Sequence, residues 1–165
     1  MSRWREPQAL SSPYITPEGE NALKQELKQL WQLRRRDVVP ALQAAAAEGD
    51  RSENAEYIYR KKQLGEIDRR IRYLSKRLDV VEVVDRKPPR LDRIHFGATV
   101  TLEYENQPTS RFRIVGADEI DAKKGYISVD SPVARALLGH SIDDEVILPS
   151  PEGASEVIIV NVEYE

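Results

Sequence analysis

Four carboxylates crowd one short stretch of the 165-residue chain: Glu48, Asp50, Glu53 and Glu56, interleaved with Gly49, Arg51, Ser52 and Asn54. Residues at i and i+3 near a helix start share a face with Cβ atoms about 5–6 Å apart, so Asp50 and Glu53 could act on one metal ion. Mg²⁺ demands six oxygens in near-octahedral geometry and gives up water reluctantly, so two exposed carboxylates hold it only weakly. The remaining ligands have to come from a partner and its substrate, which points to a factor that completes another protein's site. The same residues also have a structural reading. Gly49 suits the position just past a helix end, and Asp50 with Glu53 three residues later makes a capping-box pattern for the helix that follows. The two readings are compatible, because a carboxylate can cap a helix alone and turn outward when a partner arrives.

Two helices must position this segment. Thr16 is suited to an N-cap with Pro17 at the first helical position, and Leu23, Leu27, Leu30, Val38, Leu42 and Ala45 then place apolar side chains on one face over residues 17 to 48. Pro40 removes a backbone donor and crowds the preceding turn, which predicts a kink or a short break. A second helix is expected from about 53 to 79, with Tyr57, Leu64, Ile67, Ile71, Leu74, Leu78 and Val81 in alternating steps of three and four, a coiled-coil seam. So short a connection makes the helices fold back antiparallel, and at 1.5 Å per residue the hairpin reaches roughly 40 Å. The expected organisation is a flexible tail (1–15), a hairpin (16–82) with its acidic tip at 49–56, a linker (83–93) around Pro88-Pro89, and a C-terminal domain (94–165). In that domain the periodicity changes to two. Strands are expected at 98–104, 111–116, 125–129, 145–149 and 156–163, and a short helix at 132–138 begins at the Ser131 cap and ends at Gly139. The fold class is α+β, the second domain carrying a twisted antiparallel sheet.

Composition narrows the chemistry further. The chain has no cysteine, which excludes disulfides and thiolate metal sites, and His95 and His140 stand too far apart for zinc-ligand spacing. The start lacks the apolar run of a signal peptide and no stretch approaches a membrane span, so the expected setting is the cytoplasm. The net charge of −3 conceals an asymmetry: residues 16–80 carry 14 Lys/Arg against 11 Asp/Glu, whereas residues 94–165 carry 5 against 13. The second helix is the basic element. Arg60, Lys61, Lys62, Arg69, Arg70, Arg72, Lys76 and Arg77 face only Glu66 and Asp68 over the same interval, more of one sign than solubility requires, so single-stranded RNA along the arm is a fitting partner. Tyr57 belongs to the seam, Tyr59 and Tyr73 are expected to shield helix stems, and Trp31 is expected as a partly buried prop. No Gly-rich phosphate loop, nucleophile elbow or Cys/His pair is present, so no self-contained active site is visible.

The segment Gly-Asp-Arg-Ser-Glu-Asn-Ala-Glu-Tyr at 49–57 resembles the tip motif of the Gre factors, bacterial transcription elongation factors. Residues 66–74 (EIDRRIRYL) are similar to their second helix, and 112–120 (FRIVGADEI) with 126–139 (YISVDSPVARALLG) to their C-terminal domain. The likeness runs over roughly 14–164, and Arg51-Ser52, the basic second helix and the FRIVG segment bring it nearer to the GreB branch than to GreA. The resemblance implies an FKBP-like C-terminal domain that docks at the secondary channel of RNA polymerase while the hairpin inserts toward the catalytic centre. It implies that Asp50 and Glu53 help hold a Mg²⁺ shared with polymerase, none being bound stably by the factor alone. It further implies that the helix-two cations face the 3′ segment of the nascent RNA, that Asp130, Ser131 and Pro132 form the docking segment, and that the free factor is a monomer. Such a protein is not itself an enzyme; it activates polymerase's own cleavage of backtracked transcripts. The longer N-terminal tail, Pro40 and Pro88-Pro89 depart from the family pattern and bear on interdomain geometry rather than on the tip.

Two other functions remain open. A regulator could occupy the same channel without promoting cleavage, since related hairpin proteins differ chiefly at the tip. A prolyl isomerase would follow from an FKBP-like fold alone, but it needs an aromatic-lined apolar pocket, and the domain offers Phe96, Tyr104, Phe112, Tyr126 and Tyr164 without a tryptophan.

Overall fold

The computed structural model describes residues 10–49 and 53–165, which divide into two compact units. One is the hairpin, residues 20–81. The other joins the N-terminal segment, up to Gly19, to everything from Glu82 onward.

In the hairpin the first arm runs through α1 (Pro17–Leu33), a π-helical turn (Arg34–Val38) and α2 (Val39–Ala46), and the second arm is the single helix α3 (Ala55–Val80). Each step outward on the first arm meets an earlier residue of the second: Glu26 pairs with Arg70, Arg34 with Asp68, and the Ala45 carbonyl with Asn54. That progression is the signature of an antiparallel pair. Val38, Ile67 and Ile71 form the buried seam, flanked by Leu27, Leu30 and Leu64.

The first arm does not break at Pro40. Leu23 and Leu30 are seven residues apart, as are Val38 and Ala45, but Leu30 and Val38 are separated by eight. An α-helix keeps one face toward its partner with a repeat near seven, so one residue is in excess there. The π turn absorbs it, with the Val39 amide bonding back five residues to the Arg34 carbonyl. Pro40 follows directly, in the first turn of α2, where its missing donor and its ring are accommodated by the widened turn behind it. The expected kink is thus replaced by a local change of helical pitch.

The second unit is built on a five-stranded sheet. Strands β3 (Thr99–Tyr104), β4 (Gln107–Val115), β5 (Tyr126–Ser128), β6 (Glu145–Ser150) and β7 (Gly153–Glu163) lie in the order β5-β4-β3-β7-β6, with α4 (Pro132–Leu137) packed beside β6. Alternation selects the core: Val100 and Leu102 from β3, Val146 and Leu148 from β6, and Val157 and Ile159 from β7 point inward to meet Ile94, Ile114, Ala134 and Leu137. Strict alternation along β7 would then turn Asn161 into that core. A bulge skips Val160 in the pairing with β3, and Val162 takes the inward position instead.

Two expectations change here. The sheet is antiparallel except at one edge, where β4 and β5 pair in parallel, Arg113 opposite Tyr126. The loop between them is long enough to carry the chain back to the starting end of β4, so no hairpin forms. Residues 10–15 are also not a loose tail throughout. Tyr14–Ile15 (β1) pairs in parallel with Glu82–Val83 (β2), drawing the start of the expected linker into a two-stranded sheet.

The helix start beside β1 is clamped. Thr16 is buried and caps α1, its hydroxyl oxygen accepting from the Gly19 amide at 3.1 Å. That hydroxyl donates to one oxygen of Glu119, while the amides of Thr16 and Gly116 reach the other at 3.1 and 2.8 Å. A Cβ on Gly116 would run into the Tyr14 carbonyl, and one on Gly19 would displace the Glu119 carboxylate from this clamp.

Candidate functional site: the hairpin tip and its basic helix

The end of the first arm is set by Ala47 as C-cap of α2, with Gly49 two residues beyond at a φ of 127°, a region L side chains rarely adopt. The capping box expected of Asp50 and Glu53 is not what starts the second arm. Asn54 is the N-cap of α3: its side-chain oxygen accepts from the Tyr57 amide at 3.0 Å and its side-chain nitrogen donates to the Ala45 carbonyl at 2.7 Å. One amide therefore supplies a donor to the end of one helix and an acceptor to the start of the next, which an aspartate could not do. Glu53 consequently lies in the turn before the helix, exposed and without a hydrogen-bond or ion-pair partner among the described residues. The shared-face geometry expected for i and i+3 on a helix does not apply to it. Asp50, with Arg51 and Ser52, lies outside the described residues. Glu56 is occupied, pairing with Arg60 at 2.8 Å, and no group of three potential metal ligands converges among the described residues.

The cations of α3 sort into two groups. Arg60 is bound to Glu56 and Gln63, and Arg70 clamps Glu26 of the first arm with two contacts of 2.7 and 3.0 Å. Arg77 is also partnered, and Lys61 lies 5.9 Å from the centre of the Tyr57 ring. By contrast Lys62, Arg69, Arg72 and Lys76 are exposed and have no ion-pair partner among the described residues. Lys62, Arg69 and Lys76 repeat every seven residues, so they form one line along the helix, spanning about 21 Å. Tyr59 and Tyr73 are exposed rather than stem-shielding, each beside a guanidinium, Arg60 at 5.4 Å and Arg70 at 5.3 Å. Trp31 is likewise on the surface, with Arg34 at 5.8 Å from its ring.

Two family models divide this chain between them, the N-terminal domain of GreA/GreB transcription elongation factors over residues 13–83 and their C-terminal domain over residues 88–164. The chain belongs to the GreA/GreB family. It is 58% identical to transcription elongation factor GreB of Xanthomonas axonopodis pv. citri over 99% of this chain and 98% of that one. It is 51% identical to GreB of Pseudomonas aeruginosa with the same coverage. A solved GreA/GreB factor from Nitrosomonas europaea is 22% identical over 93% of this chain and all of that one, with a TM-score of 0.43.

The segment that the Gre resemblance assigns to docking is tied into its own domain. Asp130 accepts from both the amide and the hydroxyl of Ser12, the former at 2.8 Å, so the residues ahead of β1 are fastened to it. The Ser131 hydroxyl oxygen accepts from the Ala134 amide at 3.2 Å, capping α4 as its sequence position predicts, and Gly139 ends that turn at a φ of 85°. Pro132 is exposed at the start of the helix. Among the Gre-family positions, Asn54 is the one that reading the sequence passed over. Its signal was present, an asparagine directly before a helix-forming run, but the neighbouring Asp50 and Glu53 matched a more familiar capping pattern.

Proposed function

We propose that this chain is a transcript cleavage factor that inserts its hairpin into the secondary channel of RNA polymerase and activates polymerase's own hydrolysis of backtracked RNA. The observation that carries the reading is the division of labour at the tip. Asn54 makes both helix-end contacts, and the Glu53 carboxylate is left exposed with no partner among the described residues. A free carboxylate oxygen suits a hard cation such as Mg²⁺, and Glu53 with Asp50 would hold one in common with polymerase, the metal supplying charge neutralisation and water activation there. In this reading the factor is not an enzyme on its own. Asn54 keeps the turn closed so that Glu53 is presented beyond the helix ends, and the line of Lys62, Arg69 and Lys76 follows the phosphates of the extruded RNA 3′ segment. The sheet domain, read as FKBP-like, docks at the channel mouth through the surface around Pro132, and the free protein is a monomer.

The test uses a stalled, backtracked polymerase complex with labelled RNA. Wild-type protein should release a 3′ fragment in the presence of Mg²⁺, whereas Asp50→Asn and Glu53→Gln should bind polymerase but lose cleavage, with unchanged helical content by circular dichroism. Unchanged cleavage by both variants would remove the proposal; binding without cleavage by the wild type would replace it with the channel-occupying regulator. Charge reversal of Lys62, Arg69 and Lys76 together should leave the thermal midpoint in place, as expected for exposed side chains. The same change should abolish crosslinking of the hairpin to the RNA 3′ end.

A further inference from the structure

The C-terminal domain is acidic, with 13 Asp/Glu against five Lys/Arg over residues 94–165, yet its cations are not dispersed. Arg111, Arg113, Lys123 and Lys124 all lie on β4 or in the loop leading into β5, and only Arg135 is elsewhere. Three of them, Arg111, Arg113 and Lys124, line a recess of about 200 Å³ with Thr99, Phe112, Tyr126 and Glu165. The register explains the convergence. Arg113 is opposite Tyr126 on one side and Thr99 on the other, and Arg111 follows two residues along the same strand, on the same face of the sheet.

The centre of the recess is Arg113. Its side chain is only 11% exposed, its guanidinium carbon is 5.5 Å from the centre of the Tyr126 ring, and Lys124 approaches that ring at 5.7 Å. A guanidinium carries five N–H donors, and burying it demands partners for them. Arg113 has very few. Its Nε is buried with no hydrogen-bond partner among the described residues, and the carboxylate that reaches ion-pair distance of it among them, the exposed Glu165, stands 3.7 Å from Nη1, beyond charge-assisted hydrogen-bond length. Lys124 has no ion-pair partner among the described residues, while Arg111 is paired with Glu163 at 2.7 Å. Two cations converge on one small recess with a single loosely held carboxylate between them, which is the charge balance of a site for an oxyanion.

We propose that the recess between β4 and β5 binds a phosphate group, with Arg113 as its main ligand, Lys124 as a second cation and Glu165 as a resident competitor. The tetrahedral oxygens would meet the Nη donors that Glu165 does not reach. This site is separate from the acidic tip and from the cations of α3, and it does not depend on the function proposed for them.

The experiment is a titration of the ¹⁵N-labelled full chain, at constant ionic strength, with inorganic phosphate, with acetate, and with a short oligoribonucleotide. Saturable amide shifts confined to Arg113, Lys124 and Tyr126 are expected with phosphate. Arg113→Gln should weaken binding roughly ten-fold or more. Lys124→Ala, at an exposed position that leaves the fold intact, should weaken it about three-fold, and Glu165→Gln should tighten it by a similar factor. Saturation by inorganic phosphate or, at lower concentration, by the oligoribonucleotide upholds the site and distinguishes a free phosphate from a nucleic-acid backbone as its source. Shifts that grow linearly, that acetate reproduces, or that Lys124→Ala and Glu165→Gln leave unchanged would overturn it.

Discussion

In the sheet domain Val100, Leu102, Ile114, Leu137 and Ile159 are sealed completely from solvent and meet in one cluster, whereas the hairpin buries a single stripe, Leu23, Val38 and Ala45 from one arm and Ile67, Ile71 and Leu74 from the other, with further leucines at the margin. The hairpin compensates with polar ties between its arms, Arg34 to Asp68, Arg70 to Glu26 and Asn54 to Ala45. Two helices have only one stripe each to bury, while a sheet with a helix against it buries a whole face. The difference teaches where each region can tolerate function. A thin seam leaves most of α3 free to carry exposed charge; a deep core leaves only the outward sheet face, the loops and the edges.

Removing apolar volume should expose this contrast most strongly. Ile114→Ala is expected to cost about 2–5 kcal/mol in urea denaturation of the intact chain, and Ile71→Ala a value at the low end of that range, since the hairpin seam can collapse around the loss. Equal costs would show that the hairpin is packed as tightly as the sheet. A smaller effect is expected at the tip. Asn54→Ala removes a cap and should cost about 0.5–2 kcal/mol, with the loss of amide protection confined to residues near both helix ends. Loss of protection along the whole of α3 would mean that Asn54 nucleates the arm rather than closing its end. The smallest effect concerns the sheet domain's surface. The Ser141 amide holds the Asp144 carboxyl below its ordinary range, with a further contribution from His140. A carboxyl lowered in the folded state adds stability that is present above its unfolded pKa and disappears as the pH falls through the folded value. Asp144→Asn should therefore be slightly destabilising at pH 7 and neutral in strong acid, as read from paired thermal melts; a difference that persists in acid would assign its role to packing.

Much of this architecture was legible in the chain. Period-two runs located the five sheet strands, Ser131 and Gly139 bracketed α4, Thr16 capped α1, and the three-four spacing of Ile67, Ile71 and Leu74 marked the seam. What escaped depends on contacts between distant residues. The pairing of Tyr14 with Glu82 joins segments that have no pattern of their own, and the Glu119 clamp on Thr16 links residues 103 apart. The parallel β4–β5 edge follows from how a loop returns, and the bulge at Val160 from the needs of its neighbour β3. At the candidate site, the acidic residues stand out in the sequence by type and position, but the identity of the cap does not. Asn54 prevails because, unlike the carboxylates of Asp50 and Glu53, its amide can both donate to Ala45 and accept from Tyr57, a choice visible only when both helix ends are brought together.

The π turn at Arg34–Val38 acts as a phase adjuster. An α-helix advances about 100° per residue, so one extra residue resets the azimuth of everything beyond it. Held to α pitch at its present length, the arm would rotate Leu42 and Ala45 by about 100° about its axis, taking the apolar stripe out of the seam and the Ala45 carbonyl away from Asn54. Deleting one residue from the turn would instead restore an unbroken α-helix with the stripe still in the seam. The orientation in which the tip is presented is thus written some ten residues upstream of it, in a place that carries none of the tip's chemistry.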